Sequence, residues 1–148
     1  MATVKNLLKV KGTDVWTVPI SATIKETLHL MADKNIGAVL VLEGGKIIGI
    51  FSERDYARNA ANKESMLLDE TVAEYITRAV YYVSPDQTVE ECMALMTTKH
   101  IRHLPVLQEQ QNLVGLISIG DVVKQLLEEK ETTIQGLENY ILGREYSG

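Results

Sequence analysis

The chain has 148 residues, 45% of them hydrophobic and 24% charged, and a formal net charge of −5 at pH 7. One compact unit of this length buries roughly 68–70% of its unfolded surface, so a core needs no staples, and an acidic chain repels phosphate backbones, which argues against nonspecific nucleic-acid binding. A single cysteine, Cys92, excludes an intramolecular disulfide and a thiolate metal cage.

Val4, Leu7 and Leu8 stand at helical spacing and predict a short leading helix that ends near Gly12. Val15 to Val18 is a β-type run closed by Pro19. Thr23-Ile24-Lys25-Glu26 is the pattern of a capping box, and Leu28, Met31 and Ala32 carry the helix on to about Lys34. Ala38 to Leu42 is a buried strand, Glu43-Gly44-Gly45-Lys46 a turn, and Ile47 to Phe51 the return strand. Ser52 caps a helix reaching Asn62, with Glu53 and Asp55 in its first turn. A short helix is expected over Thr71 to Thr77. The pattern then begins again. Tyr81-Tyr82-Val83 reads as a strand, Thr88 to Glu91 as a second capping box, and Leu104–Leu107 and Leu113–Ser118 as a strand pair around the polar loop Gln108–Asn112. A helix from Ile119 to about Lys130 follows. A last amphipathic segment, Thr133 to Gly143, sets Ile134, Leu137 and Ile141 on one face. No stretch approaches the ~20 apolar residues of a spanning helix. The expected location is the cytoplasm, or an organellar matrix if an import peptide has been removed.

The chain is a duplication. Thr23 matches Thr88 at an offset of 65, and Asp55 matches Asp121 at 66, the extra residue falling in the longer second hairpin loop. In this register Ile36 pairs with Ile101, Val41 with Val106, Gly49 with Gly115 and Ser52 with Ser118. The expected fold is α/β (α+β): two pseudo-symmetric β-α-β-β-α repeats packed sheet to sheet, with flanking N- and C-terminal helices. The expected boundaries are 1–65 for the first repeat with its leading helix, 66–131 for the second and 132–148 for a helical tail.

Two features carry chemistry. Ser52-x-x-Asp55 and Ser118-x-x-Asp121 each open a helix, where free amides and a partial positive charge favour a phosphate, and where an Asp can accept from two ribose hydroxyls. An Asp in that turn also complements the helix dipole with no ligand at all. Arg102 and His103 precede the apolar Leu104-Pro105-Val106, where Arg can grip a phosphate by two bonds. A solvated surface pair is the alternative.

The order of apolar strand, Pro, capping box, helix, Ile-x-x-Leu-Pro-Val and Gly-h-h-Ser-x-x-Asp resembles a CBS domain, named for cystathionine β-synthase. Two in tandem resemble a CBS pair, or Bateman module, over Val15 to about Lys130. The first copy departs from the pattern, with Leu40 in place of Pro105 and Gly37-Ala38 in place of Arg102-His103. Ser-Glu-Arg-Asp-Tyr at Ser52–Tyr56 and the Glu-Asn-Tyr-Ile tail are similar to a stand-alone branch of bacteria and plant organelles.

The resemblance implies a regulatory sensor rather than an enzyme. Its ligand would contain adenosine: AMP first, with ADP, ATP and NAD or NADH as alternatives. It implies clefts between the repeats, one combining Ser52, Arg54 and Asp55 with Tyr81, Tyr82, Ile101, Arg102 and His103. The other would combine Ser118, Gly120 and Asp121 with Val15, Trp16, Ile36, Gly37 and Ala38, and prefer less phosphate charge because no Arg-His pair serves it. Trp16 reads equally as plain core. A homodimer is expected, and with it an unknown regulated protein, no nucleic acid and no membrane. A ligand-free interaction scaffold is the alternative. Neither P-loop, GxGxxG nor nucleophile elbow occurs, and His29, His100 and His103 lack the companions of a zinc site.

Overall fold

The computed structural model describes residues 1–62 and 67–129; the amphipathic segment read at Thr133–Gly143 and the 132–148 tail lie outside them. The chain forms two compact units, one of Met1–Asp14 with Tyr82 onward, the other Val15–Tyr81. The leading helix thus precedes the first repeat in sequence and packs with the second in space.

In the Val15–Tyr81 unit, β1 (Thr17–Pro19) runs parallel to β2 (Ala38–Glu43), which pairs antiparallel with β3 (Lys46–Ser52). Helix α2 (Ile24–Lys34) links β1 to β2, and α3 (Glu53–Ala61) follows β3. The turn between β2 and β3 uses Gly44 at φ 58° and Gly45 at φ 79°, both in the left-handed region that a two-residue hairpin turn demands. Val39, Leu40, Val41 and Phe51 are fully buried, as an uninterrupted apolar strand beside a covered neighbour requires. A short 3-10 turn, Val72–Glu74, closes the unit, with Val72 and Tyr75 buried.

The other unit repeats the plan. Helix α1 (Val4–Lys11) is capped by Thr3 and ends at Gly12 (φ 102°). Helix α4 (Val89–Lys99) leads to β4 (His103–Gln108), β5 (Asn112–Ser118) and α5 (Ile119–Glu128). Both hairpins carry a bulge at the same place, after Val41 and after Val106, opposite Gly49 and Gly115. The core joins Val4, Leu7 and Leu8 of α1 to Val89, Cys92, Met96, Leu104, Val106, Ile117 and Val122.

Three expectations give way here. The helix read over Thr71 to Thr77 shrinks to the 3-10 turn Val72–Glu74, and Thr77 bridges antiparallel to Ile50. The strand read at Tyr81–Val83 shrinks to one parallel bridge, Val83 with Val106. Val83 N–H donates to the Pro105 carbonyl at 3.1 Å and its own carbonyl accepts from Leu107 at 2.9 Å. Pro105 has no N–H with which to extend the ladder toward Tyr81. Its counterpart Leu40 keeps that donor, and there β1 pairs over three residues. The capping boxes read at Thr23 and Thr88 are half formed: each Thr hydroxyl accepts from its third helical amide at 3.1 Å, but neither Glu returns the bond. The Ile24 and Lys25 N–H groups that open α2 donate to the Glu70 and Leu68 carbonyls, and Glu91 accepts from the Gln87 amide at 3.2 Å.

Candidate functional site: two Ser-x-x-Asp corners

Besides the one at Thr3–Asn6 that opens α1, complete boxes stand at Ser52–Asp55 and Ser118–Asp121. Each Ser ends its strand in extended conformation and its hydroxyl accepts from the Asp amide, at 3.1 Å for Asp55 and 3.2 Å for Asp121. Each Asp Oδ2 accepts in return from the Ser N–H, at 3.0 Å in the first and 2.8 Å in the second. The helix-dipole reading therefore holds for both carboxylates, and it leaves Oδ1 outside the cap.

Strand starts meet helix starts within each unit. Ala38 lies opposite Ser52 and His103 opposite Ser118. The Glu53 N–H donates to the Gly37 carbonyl at 3.0 Å, and the Ile119 N–H to the Arg102 carbonyl at 2.8 Å. Ile36, Gly37, Ala38, Ser52, Arg54 and Asp55 thus form one corner. Ile101, Arg102, His103, Ser118, Gly120 and Asp121 form the other. The expected clefts each draw on both units, so each unit carries the carboxylate half of one set and the strand half of the other.

Several expected residues have structural duties. Asn35 and His100 end α2 and α4 in left-handed conformation, at φ 54° and 55°. The Ile36 and Ile101 amides then bond back to Met31 and Met96 at 3.0 Å, the closing bond of a Schellman motif. Arg102 is exposed and His103 half-buried. Tyr81 and Tyr82 are exposed. Val15 and Trp16 precede β1 rather than joining it. Trp16 is 36% exposed, with the Lys34 ammonium 4.3 Å from its ring centroid, so the plain-core reading of Trp16 fails. The stacked cation lies at the distance of a favourable cation–π contact.

Lys11 and Thr77 were not read as site residues, and each reaches a corner. The Lys11 ammonium pairs with Asp121 Oδ2 at 2.6 Å and donates to the Leu116 carbonyl. In the other unit, the Thr77 N–H donates to the Ile50 carbonyl at 2.9 Å and the Thr77 hydroxyl lies 3.4 Å from Asp55 Oδ1. Ile50 and Leu116 are duplicates, as are Asp55 and Asp121. Burial alone would push the Asp121 carboxyl up, but bonds from Lys11 and Ser118 and the Lys11 charge hold it below the usual carboxylate range. The signal was present: Lys11 and Thr77 stand 66 apart, the offset of the two aspartates. It was hidden because α1 was assigned to the repeat it precedes.

A cavity of about 550 Å³ opens between α1, the Ser84–Asp86 turn and the hairpin end at Gln108 and Glu109. None of the expected site residues lines it. Among the described residues no group of three His, Cys, Asp or Glu could hold a metal ion, and no helix is long and apolar enough to cross a membrane.

The family model described as "CBS domain" matches twice, over residues 4–62 and 72–128. A putative signal-transduction protein with CBS domains from Burkholderia ambifaria is 45% identical, covers 86% of this chain and 95% of its own, and superposes with a TM-score of 0.81. The mitochondrial CBS domain-containing protein CBSX3 of Arabidopsis thaliana is 30% identical over 95% of this chain and 72% of its own length. The CBS domain pair of protein MJ0100, 24% identical, covers 88% of this chain and 98% of its own with a TM-score of 0.75, a likeness of fold. The chain belongs to the CBS-domain family and carries that domain twice, as a tandem pair.

Proposed function

We propose that the protein is a non-catalytic sensor of adenosine-containing ligands, with AMP as its first candidate and ADP, ATP and NAD(H) as alternatives. The observation that carries this reading is the duplicated corner, in which an Asp is fixed at a helix N-terminus with one carboxylate oxygen outside the cap. A ribose diol can donate to that oxygen, and helix amides favour a nearby anion. The MJ0100 pair was solved with 5′-methylthioadenosine and S-adenosyl-L-methionine, two ligands that share adenosine and lack phosphate. Arg102 and His103 supply the phosphate contact that makes a nucleotide the better ligand here. Bound ligand favours one arrangement of the protein by its differential affinity, and a homodimer relays the change to a regulated protein. The exposed stripe Ile119, Val123 and Leu127 along α5 suits an association between copies.

A second reading, a ligand-free scaffold, is favoured by the capping role of both aspartates, which alone would keep them in place. Titration calorimetry on nucleotide-stripped protein with AMP, ATP, NAD and NADH separates the two. Micromolar binding, weakened roughly tenfold to a hundredfold by Arg102→Ala, is the expected result. Absence of heat with every ligand, and no nucleotide released on denaturation, would establish the scaffold.

A further inference from the structure

We infer that Lys11, on the leading helix, sets the charge preference of the Asp121 corner, making it select anionic adenosine ligands over neutral nucleosides. The inference rests on the sensor reading above and deepens it.

Apart from Arg102, which stands where the other corner has Gly37, the two corners differ by one charge at one place. Thr77 meets its corner with an amide and a hydroxyl, bonded to Ile50 and near Asp55. Lys11 meets the equivalent carbonyl, that of Leu116, and the equivalent carboxylate, Asp121, at Oδ2 rather than Oδ1, with a single ammonium. The flanking helix positions do not cancel the difference. Glu53 and Arg54 beside Asp55 offset each other, and their counterparts Ile119 and Gly120 are neutral. The Asp55 corner therefore keeps a net negative charge, while Asp121 and Lys11 form a neutral pair. An ammonium has three N–H donors. Two are committed, and the side chain is 33% exposed, so a third can reach a ligand oxygen while Lys11 stays on Asp121. Arg102 belongs to the same unit and is the rival cation, so the test must separate the two.

The test is calorimetric titration of adenosine and AMP into an Asp55→Ala protein, which retains the Asp121 corner. Comparison is with Asp55→Ala carrying Lys11→Met, Lys11→Arg or Arg102→Ala, each checked for folding by circular dichroism. At low salt the ratio of AMP to adenosine affinity should fall about tenfold with Lys11→Met, the scale of one unit charge a few ångströms away at a partly exposed position. It should persist with Lys11→Arg, and the difference should shrink in high salt. Thr77→Lys in an Asp121→Ala background should raise the same ratio at the other corner. A ratio unchanged by Lys11→Met, or abolished only by Arg102→Ala, overturns the inference alone. So does a gain in affinity for both ligands with Lys11→Met, since Lys11 would then be a plug. No binding of either ligand by wild-type protein overturns the sensor reading, and this one with it.

Discussion

At Asp121 and Cys92 burial pushes in the same direction, and the nearest charges decide opposite outcomes. The Lys11–Asp121 pair is partly exposed, so it contributes about 0.5–1 kcal/mol. Its pH dependence follows from the lowered Asp121 value. A carboxyl held lower in the folded chain than in the unfolded one stabilises fully above its unfolded value, about 3.9. That contribution is lost as pH falls through the folded value. The stability difference between wild type and Lys11→Met, measured by urea unfolding, should be constant above about pH 5 and close progressively below pH 4. A gap that persists undiminished at low pH would show that the aliphatic stem of Lys11, not its charge, is what stabilises. Cys92 lacks any cation to offset its burial. Burial first, then Glu91 and Glu90, pushes its thiol up to about 11. At pH 8 it should react with an aromatic disulfide reagent at least about a hundredfold more slowly than an ordinary thiol, and at the ordinary rate once the protein is denatured. Fast reaction in the folded protein would mean the α4 core opens readily.

At the level of elements, each hairpin accepts a foreign segment over its bulge glycine. A Cβ at Gly49 would lie 2.7 Å from Ile76 Cδ1 and 2.9 Å from the Thr77 carbonyl oxygen, whereas one at Gly115 would lie 2.7 Å from Leu8 Cδ2. Side-chain ends can turn aside; a bridged backbone carbonyl cannot. Gly49→Ala should therefore cost about 2–3 kcal/mol, and Gly115→Ala about 1 kcal/mol, by denaturant unfolding. The opposite order would mean the Ile50–Thr77 bridge yields more easily than α1. These contacts mark where sequence reading stops. Strand pairs, helices and the double Ser-x-x-Asp were legible because apolar runs, turn glycines and N-cap residues act within a few positions. The Glu of the second Thr box misled, because Glu91 accepts from the Gln87 side chain instead. The strand at Tyr81 misled because a missing proline donor on β4 decided its length. The 66-residue offset of Lys11 and Thr77 was readable, but the partner of Lys11 was not, because it lies 110 residues away.

The whole molecule is two units whose chain path is exchanged, with α1 completing the unit that its own repeat does not contain. Leu8 is the main tie. It is 6% exposed and belongs to the cluster that holds Leu104, Val106 and Ile117, and its side chain covers Gly115. Truncation there leaves a cavity bordered by β5, so Leu8→Ala should cost about 2–5 kcal/mol. The cost should not spread evenly. Proteins open in cooperative blocks that follow packed units, and no residue of the Val15–Tyr81 core cluster is part of the Leu8 cluster. Native-state hydrogen exchange followed by mass spectrometry should show protection lost in peptides spanning β4, β5 and α5 of the variant. Peptides of β2 and β3 should keep near wild-type protection, although they stand closer to Leu8 in sequence. Equal loss across both hairpins would mean that the units unfold as one block and that α1 stabilises the molecule globally. Preferential loss in β2 and β3 would contradict the exchanged path itself.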